Sequence, residues 1–171
     1  MTKLISLATF LVFGSIAAYA DDAQPSAPVA GTYLIGGLHC PPCTRTVESS
    51  LSRIKGITSA KVDWATKSAK VQFDEKVISA NQVADAVART PHMMGRGMTY
   101  SGARALSVPA VSDKDSGKTA VEALQKLPGV AKVNAFPTTH TLTVQFKEGA
   151  KLSSAQLIDT LDKAGMPAKT Y

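Results

Sequence analysis

The sequence predicts an α+β protein made of two βαββαβ copies behind a short leader. Three observations predict it. Strand-like alternation and helix-like i, i+4, i+7 spacing follow one another in the order β-α-β-β-α from Tyr33 to Val87. The same pattern recurs further on, shifted by the 73 positions that separate Gly56 from Gly129. Ahead of both copies, Lys3 is the only charge in the first twenty residues, and Leu4 to Ala18 is almost continuously apolar.

That opening stretch ends in Ala18-Tyr19-Ala20, a small-x-small cleavage pattern followed by Asp21-Asp22. Residues 1–20 are therefore expected to be a secretory signal peptide. Their apolar core is shorter than the ~20 residues that cross a bilayer, so no membrane span is expected in the mature chain. The mature protein is expected to be exported, periplasmic or secreted. Residues 21–30, rich in Pro, Ala and Ser, read as a flexible tether. The formal net charge is +6, of which the leader carries one lysine. The remaining basic residues are scattered without a block, which argues against a nucleic-acid partner.

The first copy is expected over 31–102. Tyr33 and Ile35, flanking Leu34, make a short strand that stops at Gly36-Gly37. From Thr44 onward, Val47, Leu51 and Ile54 share one helix face, and Gly56 ends it. Ala60, Val62 and Trp64 alternate, as do Ala69, Val71 and Phe73, with Ala65-Thr66-Lys67 as the turn between two strands. Ser79-Ala80-Asn81-Gln82 is a capping box that opens a second helix through Val83 and Val87. A closing strand is expected near Met98-Thr99-Tyr100.

The second copy is expected over 103–171. The shift matches Leu51 to Leu124, Ile54 to Leu127, Val71 to Val144 and Phe73 to Phe146, and places Leu106 and Val108 where Tyr33 and Ile35 stand. After one inserted residue the capping box returns as Ser153-Ser154-Ala155-Gln156, and Met166 to Tyr171 can form the last strand. Copies of about 70 residues lie near the lower end of independently stable domains.

Chemistry concentrates at Gly36-Gly37-Leu38-His39-Cys40-Pro41-Pro42-Cys43, which holds both cysteines of the protein. Sulfurs two residues apart, the second on the first turn of a helix, can converge on one soft ion or close into a small disulfide. The helix N-terminus favours the thiolate form. A bridge over so short a loop restrains the unfolded chain little, so chemistry rather than stapling explains the pair. Thiolates select Cu(I), and also bind Hg(II) and Zn(II). Two of them suit a near-linear Cu(I) or Hg(II), whereas Zn(II) needs about four ligands. Cu(I) is the first choice.

In a βαββαβ sheet of order 4-1-3-2, the cysteine loop, the β-hairpin and the connection between the second helix and last strand share one edge. That places His92, Met93 and Met94 beside the cysteines as candidate auxiliary ligands, together with His39 next to Cys40. Alternatively, His39 tunes the thiolates and the methionines cover the core. In the second copy Asp113 and Ser116 fall where Cys40 and Cys43 stand, and these read as helix-capping residues without soft-metal chemistry. His140 reads as an exposed turn residue, Trp64 as a packing residue, and Arg45 and Lys67 as solvated charges or contacts to an acidic partner.

Gly37-Leu38-His39-Cys40-Pro41-Pro42-Cys43, with Val47, Leu51, Gly56-Ile57 and Val62 after it, resembles the heavy-metal-associated domain family. That family includes copper chaperones, the N-terminal domains of metal-pumping ATPases and the periplasmic mercury-binding protein. Its motif usually reads Gly-Met-Thr-Cys-x-x-Cys, so Leu38 and His39 replace the usual Met and Thr. The resemblance implies a ferredoxin-like fold and carriage of a metal ion rather than catalysis, with a metal-donating or metal-accepting protein as partner. A redox reading competes with it, because Cys-Pro-Pro-Cys at a helix start also resembles the loop of thioredoxin-like oxidoreductases.

Overall fold

Period-two alternation shapes the first strand, β1, over Val29–Gly36, where Tyr33 and Ile35 turn into the core and Leu34 turns away. The computed structural model describes residues 27–95 and 97–171. The expected leader at 1–20 and most of the tether lie outside the described residues. The tether's end does not fit its composition, since Val29 and Ala30 already pair with Phe73 and Gln72. An extended partner strand satisfies their backbone groups, and this outweighs local flexibility.

Helix α1 spans Cys43–Ser52 and buries Cys43, Val47 and Leu51 along one stripe. Strands β2, Ile57–Asp63, and β3, Ser68–Phe73, form a hairpin. The Asp63 carboxylate shapes its turn by accepting from the Ala65 and Thr66 N–H groups at 2.7 and 3.1 Å. Helix α2, Ala80–Ala88, starts at the Ser79–Gln82 capping box. Strand β4 follows at Ser101–Ser107. The second half continues with α3 (Lys114–Gln125), β5 (Val130–Phe136), a 3-10 turn (Pro137–Thr139), β6 (Thr141–Phe146), α4 (Ser154–Lys163) and β7 (Lys169–Thr170).

All seven strands join one antiparallel sheet of order β2-β3-β1-β4-β6-β5, with β7 also on β4. This corrects the expected connection between the halves. There is no strand at 98–100, and the strand expected around Leu106 and Val108 is not separate from it. One strand serves both halves: β4 gives residues 101–105 to β1 on one edge and 104–107 to β6 on the other. The expected boundary between 102 and 103 falls inside it. Sharing also explains why the last strand shrinks to Lys169–Thr170. β1 holds most of that edge of β4, leaving Leu106 and Ser107 for β7.

Two apolar cores lie against the sheet, one built on Tyr33, Leu51, Phe73 and Val87, the other on Leu106, Leu124, Leu142 and Leu161, with Phe146 packed against both. A fully buried Leu contributes about 1.5–3 kcal/mol. Between the cores runs a polar seam. Asn81 Oδ1 accepts from the Leu152 N–H at 2.9 Å and its amide donates to the Ala150 carbonyl. Glu75 accepts from the Ser154 N–H at 2.6 Å. Arg104 is fully buried there, and its Nη2 donates to the Ala30 carbonyl at 3.1 Å and to Ser154 Oγ at 3.2 Å. The Arg104 Nη1 lies where a side chain on Gly31 would stand. The halves are thus joined by a strand and by hydrogen bonds in a partly buried layer.

Candidate metal centre

Three segments meet at the head of α1. The first leaves β1 through Gly37, whose φ of +83° and contact with the Thr99 carbonyl leave no place for a side chain. Leu38 drops into the core beneath the loop, and His39 stays exposed. Cys40 is half-buried, whereas Cys43 is wholly buried on the first turn of α1. Between them the prolines turn the chain: the Cys40 carbonyl accepts from the Cys43 N–H at 3.0 Å, and Pro41 accepts from Thr44 N–H at 3.2 Å and Thr44 Oγ1 at 2.8 Å. The two sulfurs are joined as a disulfide, with Cα atoms 5.3 Å apart.

The second segment is the β2–β3 turn. Lys67, at φ +50°, donates from Nζ to the Leu38 carbonyl at 3.3 Å and lies over the Trp64 ring. Desolvation holds its ammonium below the ordinary lysine range. Lys67 is therefore a tie to the cysteine loop rather than a solvated charge, while Arg45 is exposed. Trp64 serves as the platform for that tie.

The third segment is the connection from α2 to β4, which the sheet order brings to the same edge, as expected. His92 Nδ1 accepts from the Met94 N–H at 3.2 Å, so Nε2 carries the proton and donates to the Gly37 carbonyl at 2.9 Å. Its ring is 4.5 Å from that of Tyr100 and 5.7 Å from that of His39. Both nitrogens of His92 are committed to backbone, which makes it a strut between two loops and not a free ligand. Met93 and Met94 are 56% and 59% exposed, so they do not cover the core. Among the described residues no three His, Cys, Asp or Glu side chains gather into a metal cage. The soft donors at this edge are the cysteine sulfurs and the thioethers.

In the second half two of these backbone and turn contacts have counterparts, with different chemistry. Lys67 and His140 occupy equivalent turns at φ +50°, and each carbonyl accepts from the strand end, Ile35 or Val108, at 2.8 Å. His140 Nδ1 donates to the Val111 carbonyl at 2.9 Å, as Lys67 does to Leu38. It is an exposed turn residue that also clamps the loop. Sequence reading missed both clamps, although the shift that pairs Lys67 with His140 also pairs Leu38 with Val111. Where the first half joins Cys40 to Cys43, the second half joins Asp113 to Ser116 by a capping box. Asp113 Oδ1 accepts from the Ser116 N–H at 2.8 Å, and Ser116 Oγ accepts from the Asp113 N–H at 3.1 Å.

The paired-sulfur loop thus stands at the head of a βαββαβ unit, held by two neighbouring loops. The model of the heavy-metal-associated domain matches residues 32–92, and the chain belongs to that family. It is 36% identical over 53 residues to the copper chaperone CopZ of Staphylococcus haemolyticus, covering 31% of this chain and 78% of that protein. It is 29% identical over 133 residues to the copper-transporting ATPase HMA5 of Oryza sativa subsp. japonica, covering 76% of this chain and 13% of that protein. Among solved structures, the water-soluble region of the P-type ATPase CopA from Bacillus subtilis aligns over 84% of this chain and 91% of that one, with 20% identity and a TM-score of 0.41. Among the described residues no helix is long and apolar enough to cross a membrane.

Proposed function

We propose that this protein is an exported carrier of a soft metal ion, with Cu(I) as cargo between Cys40 and Cys43. The leader at 1–20 would deliver it to the periplasm or outside the cell. The observation that carries the reading is the asymmetric sulfur pair: Cys43 is buried at the helix start, and Cys40 is half-exposed beside it. Two external thiols reduce the bridge by two electrons, the first forming a mixed disulfide and the second leaving with it as their own disulfide. Both cysteine sulfurs are thereby freed, and the helix N-terminus favours their thiolates. A partner's thiols can then approach Cys40 and take or give the ion by successive ligand exchange. Hg(II) suits the same two-coordinate geometry, and Zn(II) suits it less. The similarity to copper chaperones and copper-transporting ATPases supports copper over the other two. In this reading the chain is two tandem heavy-metal-associated units, and the second, with Asp113 and Ser116, acts as a spacer or docking module.

The test is a titration of the reduced protein with Cu(I) against a chromogenic chelator. One equivalent is expected to be withdrawn, and Cys40→Ser or Cys43→Ser should lower the affinity by orders of magnitude. Wild-type affinity in either variant would remove the site assignment. The disulfide itself favours one second reading, a thiol–disulfide redox protein. An oxidised form whose bridge exchanges rapidly with glutathione, together with a reduced form that takes up no Cu(I), would establish that reading instead.

A further inference from the structure

We propose that Met93, Met94 and Met98 form a thioether site that holds Cu(I) while Cys40 and Cys43 are joined. The proposal rests on Cu(I) being the cargo. Of the six large apolar side chains exposed among the described residues, three are these methionines, at 56%, 59% and 37%. The core does not need them, because Tyr100, 2% exposed, already closes that end of the first core. In the second half the matching connection carries one methionine, Met166, and it is buried in the core at 8%. The chain therefore buries its methionine where there are no cysteines and exposes three beside the cysteine loop.

Backbone geometry presents them. The Gly95 N–H returns to the His92 carbonyl at 3.4 Å, so Met93 and Met94 sit at the two corners of a turn, the positions least covered by the rest of the chain. Gly95 and Gly97 take φ of +112° and +91°, and nothing lies within 4 Å of where their side chains would be, so these two positions stand clear of the body. His92 pins its base to Gly37, three residues before Cys40. With both His92 nitrogens bonded to backbone, the thioethers are the soft donors left at this edge. Thioether sulfur binds Cu(I), is neutral, and is not consumed by disulfide formation. A carrier in an oxidising compartment thereby keeps a weaker hold on copper beside the thiolates that take it more tightly when reduced.

The test uses the oxidised mature chain with 13C-methyl methionine, and Ag(I) as a probe with the same closed shell and no redox chemistry with the bridge. The methyl resonances of Met93, Met94 and Met98 are expected to shift together and saturate at one equivalent, while that of Met166 stays in place. Met93→Leu/Met94→Leu/Met98→Leu, which keeps the apolar volume, should weaken Ag(I) binding more than tenfold. Cys40→Ser/Cys43→Ser should retain the shifts. Methyls that do not move, movement that includes Met166, or shifts that need the cysteines would overturn the proposal, and the loop would be an apolar contact surface. Failure of thiolate carriage is read separately, on the reduced wild type.

Discussion

Opening the Cys40–Cys43 bridge should leave the fold intact, and a carrier that works by thiolate exchange depends on this. The perturbation is reduction by a phosphine, without any change of sequence. The bridge spans a sequence separation of 3, and closing so small a ring stabilises through the unfolded chain by about 2 kcal/mol. Domains have about 5–15 kcal/mol in total. The loop has other supports: the Cys43 and Thr44 N–H bonds to Cys40 and Pro41, Lys67 on Leu38, and His92 on Gly37. The second half holds the equivalent loop with the Asp113–Ser116 capping box and no sulfur. Thermal unfolding followed by circular dichroism should therefore stay cooperative after reduction, with a midpoint lower by about 4–8 °C. A drop beyond about 15 °C, or loss of the cooperative transition, would refute the reasoning and make the bridge a structural staple.

Two further outcomes follow from residues outside the sulfur pair. The Asp113 carboxyl is held below its ordinary range, first by the hydrogen bond from the Ser116 backbone N–H. A depressed folded value means that its stabilisation is present above the unfolded pKa of about 3.9 and is lost as pH falls through the folded value. Asp113→Ala should lower the melting temperature at pH 7 and converge with wild type in acid, and a pH-independent gap would contradict the capping role. Gly31→Ala should cost about 1–3 kcal/mol, since the added carbon would meet the buried Arg104 guanidinium. In an Arg104→Met background that cost should largely vanish, with a coupling of about 1 kcal/mol or more in denaturant titrations, and purely additive effects would show that the two residues do not compete for the space.

The two-edged use of β4 bears on how the halves can be dissected. A fragment beginning at Ala103 starts within Ser101–Ser107 and leaves behind β1, the strand that pairs along much of one edge of β4. Leu152 and Ser154 would also lose Asn81 and Glu75 across the seam, and Arg104 would lose the Ala30 carbonyl. Variants in the whole chain report on the second half more cleanly than its excision does.

Local order was readable from the chain itself. The periodicities of Val47 and Leu51, the capping boxes at Ser79 and Ser153, and the glycine stops at Gly56 and Gly129 are short-range effects of backbone geometry and side-chain spacing. They determined the helices and the capping pair at Asp113 and Ser116. The sheet order carried this further, to the meeting of His92 with the cysteine loop. Tertiary structure alone decided how the halves join and what the polar residues at the site do. A strand's two edges are chemically alike, so no pattern in Ser101–Ser107 distinguishes one partner strand from two. Likewise, Lys67 and His92 are hydrogen-bond donors whose acceptors, the carbonyls of Leu38 and Gly37, lie 29 and 55 residues away. Every residue except proline offers the same backbone groups, so only the three-dimensional approach of the loops selects which carbonyl each one takes.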